Sequence, residues 1–446
     1  MPEPIISVSG LRGLVGESLT PEVAARFTAA FAGTLPEGSV LITRDGRNTG
    51  EMIAAAVASA LMACGKRVLD GGIAATPTTG VLVRNKRCVG GIQISASHNP
   101  PEYNGLKLFN NAGRVIPAIE GERVLAAYRA SRFPWVKYDR VGSIERVEDT
   151  TSAHLQLVLS RVNVTAIRKR KFRVLLDSNH GAGSILGKRL LNELGCEIFA
   201  VGDSPDGRFA HPPEPTAENL ATITSRTREE KCAIGFCQDP DADRLAVIDE
   251  QGRYIGEEYT LAMCLDHVLR STPGPIVTNC ATSRMSQDLA EKYRVPFLRS
   301  AVGEANVVDG MLNTKAIFGG EGNGGPIDPA VGYVRDSFIG MALLLDALAA
   351  RDIPVSRLAD ELPRYEIHKD KVTLARERIP VALEALIAKF SDAEVSRLDG
   401  LRLDWPKKWL IVRASNTEPI IRIIAEASTL AEARSLCTVA AEVLAR

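Results

Sequence analysis

Apolar and polar positions along the chain follow one order three times over: a run of branched apolar residues, a polar loop, a stretch with helical apolar spacing, then a second apolar run. The first copy is VLITRDGRNTG (40–50), a helix through MIAAAVASALMAC, then KRVLDGG. The second is FRVLLDSNHGAG (172–183), a helix through ILGKRLLNELG, then CEIFAVG. The third is GPIVTNCATS (274–283), a helix through MSQDLAEKYR, then VPFLRS. Strand, helix and strand in about thirty residues predict a right-handed βαβ crossover in a parallel or mixed sheet. Each copy is followed by a further apolar strand running into an unusual loop: GGIQISASHNPPEYNG, AIGFCQDPDADR and AIFGGEGNGG. Ligands bind at the carboxyl ends of strands in such sheets, so the three loops are expected to converge on one cleft.

The end of the chain breaks the pattern. WLIVRASNTEPIIRIIAEAS reads as two strands around a polar turn, and TLAEARSLCTVAAEVLA as a helix opened by a capping box of Thr429 and Glu432. The expected fold is α/β: three similar mixed-sheet domains at 1–148, 149–252 and 253–365, and a C-terminal α+β domain at 366–446, around a central cleft.

Composition narrows the function classes. At about 150 residues per domain, 446 residues make roughly three core-forming units, which excludes a small stapled scaffold. Basic and acidic residues number 54 each, so no net positive field draws in nucleic acid or an anionic membrane. The apolar stretches Ala54 to Cys64 and Gly340 to Leu345 are too short to span a bilayer. MPEPIISVSGLRG lacks the order of a secretory signal, and the eight cysteines are scattered with no CxxC, as suits buried thiols in a reducing cytosol. A cytoplasmic protein is expected, with no protein partner indicated.

The loops carry the chemistry. Asp239, Asp241 and Asp243 alternate between two apolar strands, and carboxylates this close repel one another unless a hard cation such as Mg²⁺ sits among them. An EF-hand is excluded by Arg244 at the position of its glycine and by the flanking strands. In SASHNPP the proline pair stops helix continuation and leaves Ser97 and His98 in a loop. If Ser97 carries a phosphoryl group, that group, the three aspartates and one Mg²⁺ leave a charge of about −3. Cations are therefore required, and Arg244, Lys107 and Arg12 are the candidates. RASNTEP offers Arg413, Ser415, Asn416 and Thr417, with Arg422 on the next strand, as an anion cradle. GGEGNGG brings backbone close to a ligand and holds one acid, Glu321, suited to accept hydrogen bonds from sugar hydroxyls.

Together these motifs resemble the α-D-phosphohexomutase superfamily of phosphoglucomutases, phosphomannomutases and phosphoglucosamine mutases, over the whole chain and in family order. SASHNP is similar to the phosphoserine loop, DPDADR to the metal loop, GGEGNGG to the sugar-binding loop and RASNTEP to the substrate-phosphate loop; PDGRFAHPPEPTAENL (205–220) resembles a stretch preceding the metal loop. The resemblance implies a four-domain enzyme with Ser97 phosphorylated and one Mg²⁺ on Asp239, Asp241, Asp243 and a Ser97 phosphate oxygen. It also implies a hexose phosphate substrate and a hexose 1,6-bisphosphate intermediate that moves phosphate between O6 and O1. Glu321, Asn323 and the cradle residues would bind substrate, and Ser97, Lys107, Arg12, His98 and Arg244 would serve catalysis. Two departures stand out. Asn323 and Gly325 replace the serine and histidine of a GExSGH loop, leaving His98 or Lys107 to take over any acid or base role, and Ser9 replaces the aspartate of a DGxRG segment that keeps Arg12. VGEANVVDGM (302–311) and GGEGNGG lean toward phosphoglucosamine mutases. A phosphohydrolase with Asp239 as nucleophile and a non-catalytic sugar-phosphate sensor are the competing readings.

Overall fold

A computed structural model describes residues 3–7, 9–414 and 420–445 and builds the three repeats as one sheet design used three times. In the first, Ser39–Arg44 runs parallel to both Arg67–Ile73 and Gly90–Ile94, and Tyr103–Asn110 returns antiparallel beside Gly90–Ile94. Arg173–Asp177, Glu197–Val201, Ile234–Gln238 and Leu245–Asp249 repeat this arrangement in the second. Ile276–Asn279, Phe297–Ser300, Phe318–Glu321 and Gly325–Ile327 repeat it in the third. The crossovers are the expected helices Gly50–Ala63, Gly183–Glu193 and Met285–Tyr293. The strands Gly90–Ile94, Ile234–Gln238 and Ile276–Asn279 are buried along their whole length, which is why they read as apolar runs rather than alternating ones. The first sheet grows to seven strands by adding Ile5–Ser7 and Gly10–Leu14 at one edge and Ile144–Arg146 at the other.

The cores are distributed less evenly than the repeats. The first sheet has its own core, whereas the second and third share one, built around the helices Glu257–Ser271 and Ser337–Arg351. Ser337–Arg351 is apolar nearly all round because it is buried between two units rather than on one. Asp336 caps it, accepting from Phe338 N at 2.8 Å and Ile339 N at 3.3 Å. The same carboxylate accepts from His154 Nε2 at 2.8 Å, and His154 Nδ1 lies 2.9 Å from Thr78 Oγ1, so one buried chain of polar contacts joins the first three units.

The fourth unit is a five-stranded antiparallel sheet, ordered Glu366–Thr373, Ile420–Ala427, Lys408–Ala414, Leu401–Trp405 and Glu394–Ser396, under the helix Leu430–Ala445. Thr429 Oγ1 accepts from Glu432 N at 3.3 Å, giving half of the expected capping box. The Glu432 carboxylate instead takes Lys408 Nζ at 2.9 Å, an ion pair in place of the reciprocal bond. Glu426 ties this unit to the third by accepting from Arg284 N at 2.9 Å and from Trp409 Nε1 at 2.7 Å. All eight cysteines are free thiols, and among the described residues no helix is long and apolar enough to cross a membrane.

Candidate active site

The carboxyl ends of the three sheets meet at a cleft of about 590 Å³, lined also by Lys369, Arg413 and Arg422 of the fourth unit. Ser97 enters it from the strand Gly90–Ile94 on a left-handed backbone, φ 50°, a conformation that costs a non-glycine residue free energy and persists only where its surroundings impose it. Most of these surroundings are one side chain. Arg47, 1% exposed, donates from Nη2 to the carbonyls of Ser97 (2.7 Å) and Asn99 (2.6 Å), and from Nη1 to those of Pro100 (2.7 Å) and Tyr103 (3.1 Å). Asp45 pairs with Arg47 Nε at 3.1 Å and accepts from Ser95 Oγ at 2.6 Å, and Ser95 Oγ accepts from Ser97 N at 2.9 Å. Phe209, from the stretch before the metal loop, lies under the Arg47 guanidinium at 5.0 Å. The loop backbone is thus held throughout while the Ser97 hydroxyl stays directed at the second unit, donating to Asp239 Oδ2 at 2.7 Å.

Asp239, Asp241 and Asp243 follow the strand Ile234–Gln238, are fully buried, and bring one oxygen each to within 4.8 Å of one another. Their oxygens are divided between two tasks. Lys107 Nζ donates to Asp241 Oδ2 at 3.1 Å and Asp243 Oδ2 at 2.9 Å, Thr76 Oγ1 to Asp241 Oδ2 at 2.5 Å, and Arg335 Nη2 to Asp243 Oδ2 at 2.6 Å. Among the described residues, Asp241 Oδ1 and Asp243 Oδ1 have no hydrogen-bond partner although buried. Orphaned carboxylate oxygens are costly without a cation, so this donor set fits a hard, oxygen-seeking ion. Burial and the neighbouring Asp241 and Asp243 push the Asp239 carboxyl well up. Burial also works against ionised Asp243, yet Arg335, Lys107 and Arg244 hold its carboxyl below the usual range.

His98 Nδ1 lies 3.3 Å from Ser97 Oγ, and burial, Arg244 and Arg12 keep its imidazole well below the ordinary histidine value. Burial opposes the charge on Lys107, but Asp241 and Asp243 raise its pKa overall. Arg12 Nη1 donates to Asn99 Oδ1 at 2.8 Å, and Arg244 N to Asp239 Oδ1 at 3.1 Å.

Glu321 ends the third unit's strand and is already well supplied with donors. Asn279 Nδ2 (2.7 Å) and Gly303 N (3.0 Å) reach Oε1, and Arg335 Nη1 (2.6 Å) reaches Oε2. Asn323 Oδ1 is buried without a partner among the described residues, an acceptor available to a ligand hydroxyl. Arg413 and Arg422 stand opposite each other across the fourth unit's hairpin, and Arg413 Nε pairs with Asp399 at 3.2 Å. Ser415, Asn416 and Thr417 lie outside the described residues.

The structure therefore brings Ser97, His98, Lys107, Arg12, Arg244, Glu321, Asn323, Arg413 and Arg422 to one cleft against the aspartate triad. Sequence reasoning missed Arg47, Thr76, Asn279 and Arg335. Arg47 had a signal, since it lies in the loop after the first strand of the repeat, on the edge where the other loops gather. Arg335, a lone arginine before a helix cap, had none.

Four descriptions of phosphoglucomutase/phosphomannomutase domains match the chain in order: the alpha/beta/alpha domains I, II and III at residues 5–134, 152–252 and 257–365, and the C-terminal domain at 371–443. A phosphoglucomutase/phosphomannomutase of Thermococcus kodakarensis is 37% identical over 433 residues, covering 95% of each chain. A Methanopyrus kandleri protein named as a probable phosphoglucosamine mutase is 32% identical, over 96% of this chain and 95% of its own. A crystal structure of a phosphoglucomutase/phosphomannomutase family protein from Burkholderia thailandensis superposes with a TM-score of 0.85 at 27% identity, covering 98% and 97% of the two chains.

Proposed function

The chain belongs to the phosphoglucomutase/phosphomannomutase family and is a phosphohexomutase, and from that premise we propose that it interconverts the 6- and 1-phosphates of glucosamine through phosphorylated Ser97 and a hexose 1,6-bisphosphate. The observation that carries this reading is the 2.7 Å contact between Ser97 Oγ and Asp239 beside two orphaned carboxylate oxygens. A phosphoryl group on that oxygen would lie among the cations Arg12, Lys107 and Arg244.

Phosphoryl transfer needs positioning and charge stabilisation more than covalent elaboration. The free hydroxyl oxygen of the bound hexose phosphate attacks phosphorus and the bond from phosphorus to Ser97 Oγ breaks. The hydroxyl proton passes to the neutral imidazole of His98, whose Nδ1 lies 3.3 Å from Ser97 Oγ, and on to the departing serine oxygen, while the charged Lys107 stabilises the phosphoryl oxygens. After the bisphosphate turns over in the cleft, the same steps run backward with its other phosphate. Mg²⁺ held by Asp239, Asp241 and Asp243 supplies neutralisation of the phosphoryl oxygens when bound. Arg413 and Arg422, with Ser415, Asn416 and Thr417, hold the phosphate that is not reacting and supply proximity. Glu321 and Asn323 take the ring hydroxyls. Added hexose 1,6-bisphosphate primes an unphosphorylated Ser97.

Glucosamine phosphate is favoured by the likeness of VGEANVVDGM and GGEGNGG to phosphoglucosamine mutases and by the name of the Methanopyrus relative. Glucose and mannose phosphates form the second reading, favoured by the name of the Thermococcus relative. The test is peptide mass spectrometry before and after incubation with a hexose 1,6-bisphosphate and Mg²⁺, then turnover of the three 1-phosphates. Phosphate on Ser97 and fastest turnover of glucosamine 1-phosphate are expected. Sugar-phosphate hydrolysis that survives Ser97→Ala would replace the mutase reading with a hydrolase, and binding without turnover would replace it with a sensor.

A further inference from the structure

Arg335 joins the two loops that sequence reasoning treated separately. Its Nη2 donates to Asp243 Oδ2 and its Nη1 to Glu321 Oε2, both at 2.6 Å, while its backbone N donates to Glu304 Oε1 at 2.7 Å. Since Lys107 of the first unit shares Asp243 Oδ2, one ionic chain runs from Lys107 through Asp243 and Arg335 to Glu321 and crosses all three repeats. The guanidinium is largely buried, and its fork is matched on two arms by carboxylates from two different sheets.

Room for this side chain comes from Gly325. That residue pairs directly with Glu321 across the Phe318–Glu321 and Gly325–Ile327 hairpin. A Cβ there would meet Arg335 Cδ at 2.4 Å, Cγ at 2.8 Å and Cβ at 2.9 Å. The space that any side chain at 325 would fill is taken by the arginine stem, so position 325 and Arg335 exclude one another.

We propose that Arg335 is a positioning residue that locks the sugar loop to the metal loop, with Gly325 kept bare so that it can do so. This rests on the phosphohexomutase reading of the cleft. Arg335 orients the Glu321 carboxylate toward substrate hydroxyls, and on its other arm it competes with any cation for the charge of Asp243. The two arms predict changes of opposite sign, which a merely structural residue would not produce.

The test compares Arg335→Ala, Arg335→Lys, Gly325→Ala and the double variant Gly325→Ala/Arg335→Ala with the wild-type enzyme, each brought to one Ser97 phosphorylation state verified by intact mass. Turnover is measured on the hexose phosphate the wild type prefers, and Mg²⁺ alone is titrated by calorimetry. Arg335→Ala is expected to raise KM about tenfold or more, while Mg²⁺ binds about threefold or more tightly because a neighbouring cation is gone. Arg335→Lys reaches only one carboxylate and keeps the charge, so its KM should rise with metal affinity nearly unchanged; it also serves if the alanine variant fails to fold. Gly325→Ala should raise KM as Arg335→Ala does, and the double variant should be no worse than Arg335→Ala. Unchanged KM in both arginine variants, or sugar and metal binding weakened together with a lower melting temperature, would overturn the proposal. A wild type that turns over no hexose phosphate would sink the function reading, and the Mg²⁺ titration would still judge the contact of Arg335 with Asp243.

Discussion

The loop between Ile94 and Tyr103 and the loop between Gln238 and Leu245 leave corresponding strands of the same sheet design, yet they are held in opposite ways. The first is held by its backbone: Arg47 gathers four of its carbonyls and leaves the Ser97 side chain to the cleft. The second is held by its side chains: Lys107, Thr76 and Arg335 take the Oδ2 atoms of Asp241 and Asp243 and leave the Oδ1 atoms without partners among the described residues. Both loops carry a non-glycine residue in the left-handed region, Ser97 at φ 50° and Ala242 at φ 55°. On the proposed function, a serine that receives and releases a phosphoryl needs its oxygen unmasked, so the clamp acts behind it. A group that must hold a cation can give half its oxygens to the clamp.

The largest effects separate the two loops outright. Ser97→Ala should abolish isomerisation, by roughly 10⁴-fold or more, while calorimetry still detects Mg²⁺ on the intact triad. Asp241→Asn should weaken Mg²⁺ by about 100-fold or more and turnover with it. Loss of metal binding in Ser97→Ala to the degree seen in Asp241→Asn would show that the loops are one site rather than two with separate tasks.

Arg47→Met tests the clamp behind the serine. It removes every guanidinium bond to the loop and leaves Asp45 buried without its cation, a change that costs about 3 kcal/mol or more. With Ser97 free to drift by about an ångström, kcat should fall about 100-fold, amide exchange at 97–103 should quicken, and Mg²⁺ affinity should stay within about threefold of wild type. A kcat loss with no change in loop exchange would leave the backbone clamp without support.

What the sequence could reveal follows from the range of the interactions. The βαβ repeats are local, within about thirty residues, and their apolar periods placed the sheets and the loops at their carboxyl ends. Asp239, Asp241 and Asp243 were legible as a cluster because they are adjacent in the chain. Arg335 was not, since it reaches Asp243 across 92 positions and nothing in its own neighbourhood marks it. The shared core of the second and third units was hidden for the same reason. The apolar run at Gly340 to Leu345 announces a buried helix without saying that two sheets bury it.

The smallest expected effect concerns an acid of the cleft that forms no ion pair among the described residues. Glu258 accepts from Ser283 N at 2.9 Å, and burial, with Glu426 and Glu257 nearby, pushes its carboxyl up to about 8. Asp243 shows the contrary case, where Arg335 and Lys107 outweigh burial. Because the folded protein holds the Glu258 proton more tightly than the unfolded chain does, its contribution to stability is complete below the ordinary value of 4.5 and is lost as pH rises through about 8. The wild-type melting temperature should therefore fall by a few degrees between pH 6 and pH 9, and Glu258→Gln should reduce that slope. If the two proteins lose stability in parallel over this range, the Glu258 carboxyl is ionised in both states, and the contrast between clamped and unclamped acids fails at this position.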